Sequence, residues 1–444
     1  MLIFGLDDLF LNLLALANRI RPTSLDPNEL QKIKSARQKK IAVLIANWHE
    51  EDVLEAMVRG NTANIRYQNY TIFLGVYPND EATLVIAKRL ERNNVKVRVL
   101  LNSCPGPTSK GQLLNEMLRQ IMASEKSSLE PFDLFLMHDS EDLIHPESFS
   151  LINSETENHD FIQLPVFSLK IPWHQMIAAT YMDEFAEVHT RDLLVRSHFK
   201  LAVPSAGVGT ALTRRLVLSI LRLQNGELLD SNCLTEDYQL GHRAHRLGFR
   251  SAFICRYIQN NSKRDFIATR EYFPDRFKTS LKQKTRWTLG VAFQARAILG
   301  WWGGLGERYF LWRDWRAPLN SLLVFGATAW LLSFSVVYFI YGHGLHVGNQ
   351  FGFLEVCAFN LGQMILRLAI RTRTTFNIYG LSSCLLVPLR WPIANLINTL
   401  ASAQAAHQYL RYKLFGEQLK WAKTQHRLPA GFGLHSQQQI GGRK

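Results

Sequence analysis

Four strand-length apolar runs separated by helical stretches constrain this chain more than any other feature. The runs are Ile41-Ala42-Val43-Leu44-Ile45, Tyr70 to Val76, Val95 to Leu101 and Leu134 to Met137. Helical stretches from Val53 to Gly60, Glu81 to Arg92 and Gly111 to Ala123 lie between them. Strands alternating with helices predict an α/β fold, with a mixed, mostly parallel sheet and helices on both faces. Ligands of such sheets bind beyond the carboxyl ends of the strands. The chemistry of this chain is therefore sought in the turns after these runs.

The pattern changes beyond residue 317. Leu319 to Tyr341 has no charged residue and is long enough to span a bilayer at about 1.5 Å per residue. A short uncharged loop, Gly342 to Gly352, precedes Phe353 to Ile370, which is apolar apart from Glu355 and Arg367. Arg371 and Arg373 follow, which puts the loop outside and the catalytic unit in the cytoplasm by the positive-inside rule. A third run, Leu381 to Leu400, contains Pro388, Arg390 and Pro392 and reads as re-entrant or interfacial. A full third span would carry the basic tail across the membrane.

At the other end, Leu2, Leu6, Leu9, Leu13, Leu16 and Ile20 form one helical stripe too short to span. It either lies in the membrane interface or packs on the catalytic domain. Asp7 and Asp8 come early and no basic leader precedes them, so this is not read as a signal peptide. The expected organisation is an amphipathic helix and basic linker over 1–39, a catalytic domain over 40–270 and interfacial helices over 271–317. A transmembrane or re-entrant region over 318–410 and a basic cytoplasmic tail over 411–444 follow.

Charge and cysteine usage agree with this organisation. There are 51 Lys and Arg against 37 Asp and Glu, a formal +14, with no zinc-finger or RNA-binding signature. Positive-inside charge explains the excess without a nucleic-acid partner. The five cysteines are dispersed and form no CxxC pair, which fits a reducing, cytosol-facing compartment.

Three constellations carry chemistry. His138-Asp139-Ser140-Glu141-Asp142 follows the fourth run directly. Three carboxylates at a strand end repel unless neutralised, and a hard divalent cation holding a diphosphate is the natural partner. A solvated acidic loop is the plainer alternative. Thr235-Glu236-Asp237 precedes a helix, Tyr238 to Leu247, where carboxylates suit the helix dipole. Alternatively, Asp237 is a general base for an acceptor hydroxyl. Gln283-Lys284-Thr285-Arg286-Trp287 puts Gln283 and Trp287 on one helix face with Arg286 beside them. An indole offers a flat face to a sugar ring and a guanidinium a fork for a diphosphate. An interfacial Arg/Trp belt is the alternative there, although Gln-x-x-Arg-Trp arises by chance in only roughly one such chain in a hundred. Trp301, Trp302, Trp312 and Trp315 read as such a belt. His242 and His245 read as a solvated or lipid-facing surface. Gly207-Val208-Gly209-Thr210 is a glycine turn or a site floor.

Order and spacing of these motifs resemble the processive family 2 glycosyltransferases, such as cellulose and hyaluronan synthases. Tyr77-Pro78-Asn79-Asp80, Pro105 to Lys110, His138 to Pro146, Gly207 to Thr210 and Gln283 to Trp287 narrow the likeness to the NfrB-like, phage-adsorption subgroup. The resemblance spans about residues 5–430. It implies a GT-A (Rossmann-like) catalytic domain and an inverting, Mg²⁺- or Mn²⁺-dependent transfer from a nucleotide sugar, expected to be UDP-linked. The acceptor would be a growing polysaccharide at the bacterial inner membrane, serving exopolysaccharide synthesis. A single transfer to a polyprenyl lipid and a phage-receptor or scaffold role are the alternatives.

Carried over, the resemblance makes Asp237 the catalytic base and gives the metal to Asp139 and Glu141. Glu50 and Asp80 would lie near the base and ribose, and Lys110 near uracil or phosphate. Asp139 would also touch the nucleotide sugar, Gln283 and Arg286 would hold the diphosphate, and Trp287 and Glu236 the acceptor. Two departures matter. The usual Asp-x-Asp is Asp139-Ser140-Glu141 here, which leaves Glu141 or Asp142 for the metal, and Tyr77-Pro78 stands where many relatives carry Asp. Two spans are few for an export channel, so a homo-oligomer or a membrane export partner is expected. Relatives carry a cyclic di-GMP-sensing domain that is not found in this sequence, so such regulation would come from a partner.

Overall fold

The apolar runs become the core strands of one sheet. The computed structural model describes residues 2–126, 130–261, 263–341, 353–417 and 419. Seven strands lie in the order Ser251–Phe253, Phe161–Gln163, Thr210–Thr213, Leu134–His138, Ile41–Ala46, Tyr70–Val76 and Val97–Leu101. Thr210–Thr213 is antiparallel to both neighbours, and the other pairings are parallel. Ile45 stands opposite both Leu74 and His138, so three strands end at one level. Residues 41–45 are buried, as a central parallel strand covered on both faces requires. Helices Leu54–Asn64, Glu81–Asn93 and Lys110–Glu125 form the crossovers.

Two three-stranded sheets accompany it. One pairs Thr23–Leu25 and Lys263–Phe266 with Arg256–Asn260; the other joins Leu143–Ile144 and Val166–Ser168 to Thr269–Glu271. The stretch read as a linker thus contains a strand, and a helix, Pro27–Ser35, follows it. The sequence signal was present. Asp26 accepts the Glu29 N–H at 2.8 Å and Glu29 accepts the Asp26 N–H at 3.1 Å, a capping box with Pro27 in the first turn.

Among the described residues the chain divides into two compact units. Arg21–Leu169 and Arg196–Phe273 make the sheet unit. Met1–Ile20, Lys170–Val195 and Pro274–Ala422 make a helical unit. Its main helices are Leu2–Ala17, Met176–Glu187, Phe277–Thr288, Leu305–Trp315, Ala317–Tyr341, Phe353–Tyr379 and Val387–Phe415.

The third apolar run differs from expectation. Pro388 and Pro392 do not break it; Val387–Phe415 is one helix, with Pro388 in the first turn, where a missing N–H leaves no intrahelical bond unmade. Arg390 is buried against Asp183. Ala317–Tyr341 and Phe353–Tyr379 cover the two expected spans. Among the described residues, however, no helix is long and apolar enough to cross a membrane. In these two helices the side chains of 328, 331, 332, 334, 335, 338, 339, 341, 353, 354, 356 and 357 lie outside the described set, as do the expected loop at 342–352 and the tail beyond 419.

Candidate active site

In the sheet unit, polar side chains tie the strand ends together. Asn47 Nδ2 donates to the carbonyls of Ile45 (2.9 Å) and Gly75 (3.0 Å), and its Oδ1 accepts the Ser140 hydroxyl at 2.8 Å. One buried amide thus links the ends of two strands to the turn after a third. Asn61 holds the same acidic turn from below, donating to the Asp142 carbonyl (2.8 Å) and accepting the Ile144 N–H (2.9 Å).

Within that turn the three carboxylates part company. Asp142 is fully buried, 2.8 Å from His138 Nδ1, and accepts the Asp139 N–H at 2.9 Å. It is engaged in shaping the turn. Asp139 has the more open side chain, about 30% accessible, and pairs with Lys110. Glu141 is buried on the same turn.

Lys110 begins helix Lys110–Glu125, whose N-cap Ser109 accepts the Gln112 N–H. Its ammonium lies on Asp139 and 3.4 Å from the Gly207 carbonyl. Burial alone would lower its pKa, but Asp139, then Glu236 and Asp237, hold it above the ordinary lysine value. Asp139, Glu236 and Asp237, separated by about a hundred residues in sequence, therefore share one electrostatic neighbourhood around Lys110. Three carboxylates around one ammonium leave this neighbourhood with an excess of negative charge.

Gly207 completes this pocket at φ +77°, and a Cβ there would collide with the Asp237 carboxylate. Gln163 fixes the glycine turn by accepting the Ala206 N–H (2.9 Å) and donating to the Val208 carbonyl (2.8 Å). No sequence signal marked Gln163, Asn47 or Asn61.

Glu50 and Asp80 form a second group in this unit. Asp80 caps helix Glu81–Asn93 and accepts the His49 N–H at 2.6 Å; the Glu50 N–H reaches Thr83 Oγ1 at 3.0 Å. His49, Glu51 and Asp80 bring one ligand atom each within 4.8 Å of one another, so they too could hold a cation. His242, expected on a wet surface, is instead buried; burial and then Arg196, Arg246 and His245 push its pKa well below the usual value.

Gln283, Arg286 and Trp287 stand on helix Phe277–Thr288, in the helical unit. Gln283 is buried, and its Oε1 makes no hydrogen bond among the described residues. The intervening residues fasten the helix. Lys284 Nζ donates to Glu184 (2.6 Å) and Asn398 (2.9 Å), and the Thr285 hydroxyl lies 3.1 Å from Gln404 Oε1. Tyr181 and Phe185 meet the Trp287 ring edge-on at 6.0 and 6.1 Å between centroids.

Glu184 belongs to an acidic series on helix Met176–Glu187. Asp183 receives a two-pronged pair from Arg390 (2.7 and 2.8 Å), and Glu187 accepts Arg371 Nε at 2.7 Å. Burial would raise Glu187, but Arg371, Arg191 and Arg367 overcome it and hold the carboxyl at about 2. The anchoring of the motif helix thus depends on charges that the sequence reading passed over.

A sequence model described as glycosyltransferase-like family 2 matches residues 38–290, more than half of the chain. The chain belongs to that family. This family 2 glycosyltransferase is 33% identical over 463 aligned residues to bacteriophage adsorption protein B of Escherichia coli strain K12, covering 98% of the chain and 61% of that protein. Bacteriophage N4 adsorption protein B of Escherichia coli O157:H7 matches with the same figures. The glycosyltransferase chain therefore spans about 61% of the length of these curated relatives. Its fold is similar to that of a mannosyltransferase from Pyrobaculum calidifontis solved with GDP-mannose and Mn²⁺. That likeness has a TM-score of 0.54 and 13% identity, and covers 89% of this chain and 95% of the other. It identifies a GT-A-like α/β fold with mixed sheets.

Proposed function

We propose that this chain transfers a sugar with inversion from a nucleotide sugar, UDP-linked, to the growing end of a polysaccharide at the cytoplasmic face of the inner membrane. The observation that carries the reading is the placement of Asp139, directly after the parallel strand Leu134–His138, on Lys110, whose ammonium also lies 3.4 Å from the carbonyl of Gly207, the residue against which the Asp237 carboxylate sits.

In this reading Asp237 takes the proton of the acceptor hydroxyl, and Glu236 faces the acceptor beside it. Asp139 and Glu141 hold the Mg²⁺ or Mn²⁺, since Asp142 is committed to His138 and the turn backbone. That ion would stabilise charge developing on the leaving diphosphate. Lys110 holds Asp139 in place and is assigned to the uracil or phosphate. The His49, Glu51 and Asp80 group is the weaker candidate for the ion, because Asp80 already caps a helix and binds the His49 N–H. Glu50 and Asp80 are assigned to the base and ribose, Gln283 and Arg286 to the diphosphate, and Trp287 to the acceptor sugar. The uncharged stretch 319–341 supports membrane attachment. The names of the curated relatives favour a second reading, a role in phage adsorption, with the glycan or the protein as receptor.

The test is release of nucleotide from a panel of UDP- and GDP-sugars, on membranes containing the protein, with Mn²⁺ or Mg²⁺. Release from one donor is expected, falling by about tenfold or more when EDTA removes the ion. No release from any donor would overturn the reading.

Gly207→Ala separates site geometry from backbone strain. Both it and Gly226→Ala place alanine at positive φ, but nothing lies within 4 Å of a Cβ at Gly226. Each should cost about 1–3 kcal/mol of stability in thermal unfolding. Only Gly207→Ala should also lower transfer, by about tenfold or more, since it alone displaces the Asp237 carboxylate. Equal activity in the two variants would remove Gly207 from the site.

A further inference from the structure

Helix Leu2–Ala17 is docked the wrong way round for a helix surrounded by water. Its charged side faces inward. Asp7 is 7% exposed, pairs with Arg313 and Arg316, and accepts the Tyr309 hydroxyl at 2.6 Å. Asp8 lies 3.2 to 3.4 Å from Arg313, Arg316 and Arg367, and Asn12 accepts Arg191 at 2.8 Å. The opposite face is apolar and open: Ile3 is 69% exposed, Leu13 54% and Leu16 76%. A helix at a water-facing surface does the reverse, burying leucines and exposing carboxylates.

Three features of the same helical unit say what covers that face. The open apolar surface continues onto helix Phe353–Tyr379, which approaches Gly5 through Phe359 and Gln363 and leaves Met364 and Ile365 exposed. At the helix start, Phe4 stacks with Trp312, and the Arg316 guanidinium covers both rings at 4.7 and 4.6 Å. Such aromatic and cationic pairings belong at a membrane–water boundary. Finally, Ala317–Tyr341 has no charged residue and leaves Leu319 and Leu322 open.

We propose that the outer face of Leu2–Ala17 lies in the acyl layer of the bilayer, with the Asp7–Asp8 clamp fixing the helix rotation that turns its leucines to lipid. The proposal rests on the membrane reading above. Of the two alternatives the sequence left, a helix in the membrane interface and one packed on the catalytic domain, it takes the first.

The test places the photo-crosslinker p-benzoylphenylalanine in the full-length chain at Leu13, at Leu322, or at Val85, an exposed residue of the sheet unit. Each protein is reconstituted into phosphatidylethanolamine and phosphatidylglycerol vesicles, irradiated and analysed by mass spectrometry for lipid adducts. Adducts at Leu13 and Leu322 about tenfold above those at Val85 are expected. Adducts at Leu322 but not Leu13, or a Leu13 cross-link to a second copy of the chain, would overturn this proposal and leave the membrane reading standing. Lipid adducts at neither position would overturn both.

Discussion

Asp237→Asn should lower nucleotide release coupled to sugar transfer by about 10²- to 10⁴-fold, the usual contribution of a positioned general base. The substitution preserves shape, and an amide oxygen can still accept the Tyr238 N–H that Asp237 accepts at 2.8 Å. What it removes is the capacity to take a proton. Lys110 keeps its contact with Asp139, so the fold of the pocket should survive. The measurement is release from the active donor on membranes holding wild type or variant in equal amount, with thermal unfolding as the control for integrity. A variant with wild-type turnover would sink the assignment and make Glu236 the next candidate. Retained phage adsorption by a transfer-dead variant would separate a receptor role of the protein from one of its product.

Arg390→Met should be the most destabilising single change in the helical unit. It leaves the Asp183 carboxylate buried at 3% exposure, with the Thr375 hydroxyl at 3.0 Å in place of a guanidinium. Breaking one side of a buried pair costs about 3–5 kcal/mol. For a unit of this size that is a fall of roughly 6–20 °C in melting temperature. Adding Asp183→Leu should restore most of the loss, because the double variant leaves no charge stranded. If the double variant melts as low as the single one, lost packing rather than a stranded charge is the cause. The single variant should also weaken transfer, since Asp183 adjoins Glu184, which holds Lys284 of the motif helix.

The sheet was legible because a parallel strand buried on both faces must be apolar throughout, and Ile41 to Ile45 is. That Asp139 and Asp237 both act on Lys110 could be anticipated only from motif order. No local pattern brings residues a hundred positions apart together. Asn47, Asn61 and Gln163 escaped notice because a buried amide looks like any loop residue until its carbonyl partners are known. Arg390 was misread for the same reason: beside Pro388 and Pro392 it resembles a break, and only Asp183, 207 residues earlier, makes it a core residue. The helix Pro27–Ser35 is the opposite case, since Asp26-Pro27-Asn28-Glu29 announces it and the surrounding polar composition masked the announcement.

The acidic series on Met176–Glu187 also imposes an order on synthesis. Lys170–Val195 interrupts the sheet unit yet belongs to the helical one, and its partners leave the ribosome much later. Lys284 follows Glu184 by 100 residues, Arg371 follows Glu187 by 184, and Arg390 follows Asp183 by 207. At about 5–20 residues per second, Asp183 waits roughly 10–40 s for its guanidinium. During that interval Glu187 already has Arg191, four residues on, whereas Asp183 has no guanidinium of its own. Among the described residues, the final helix, Val387–Phe415, therefore supplies the charge partner of a carboxylate made 207 residues earlier.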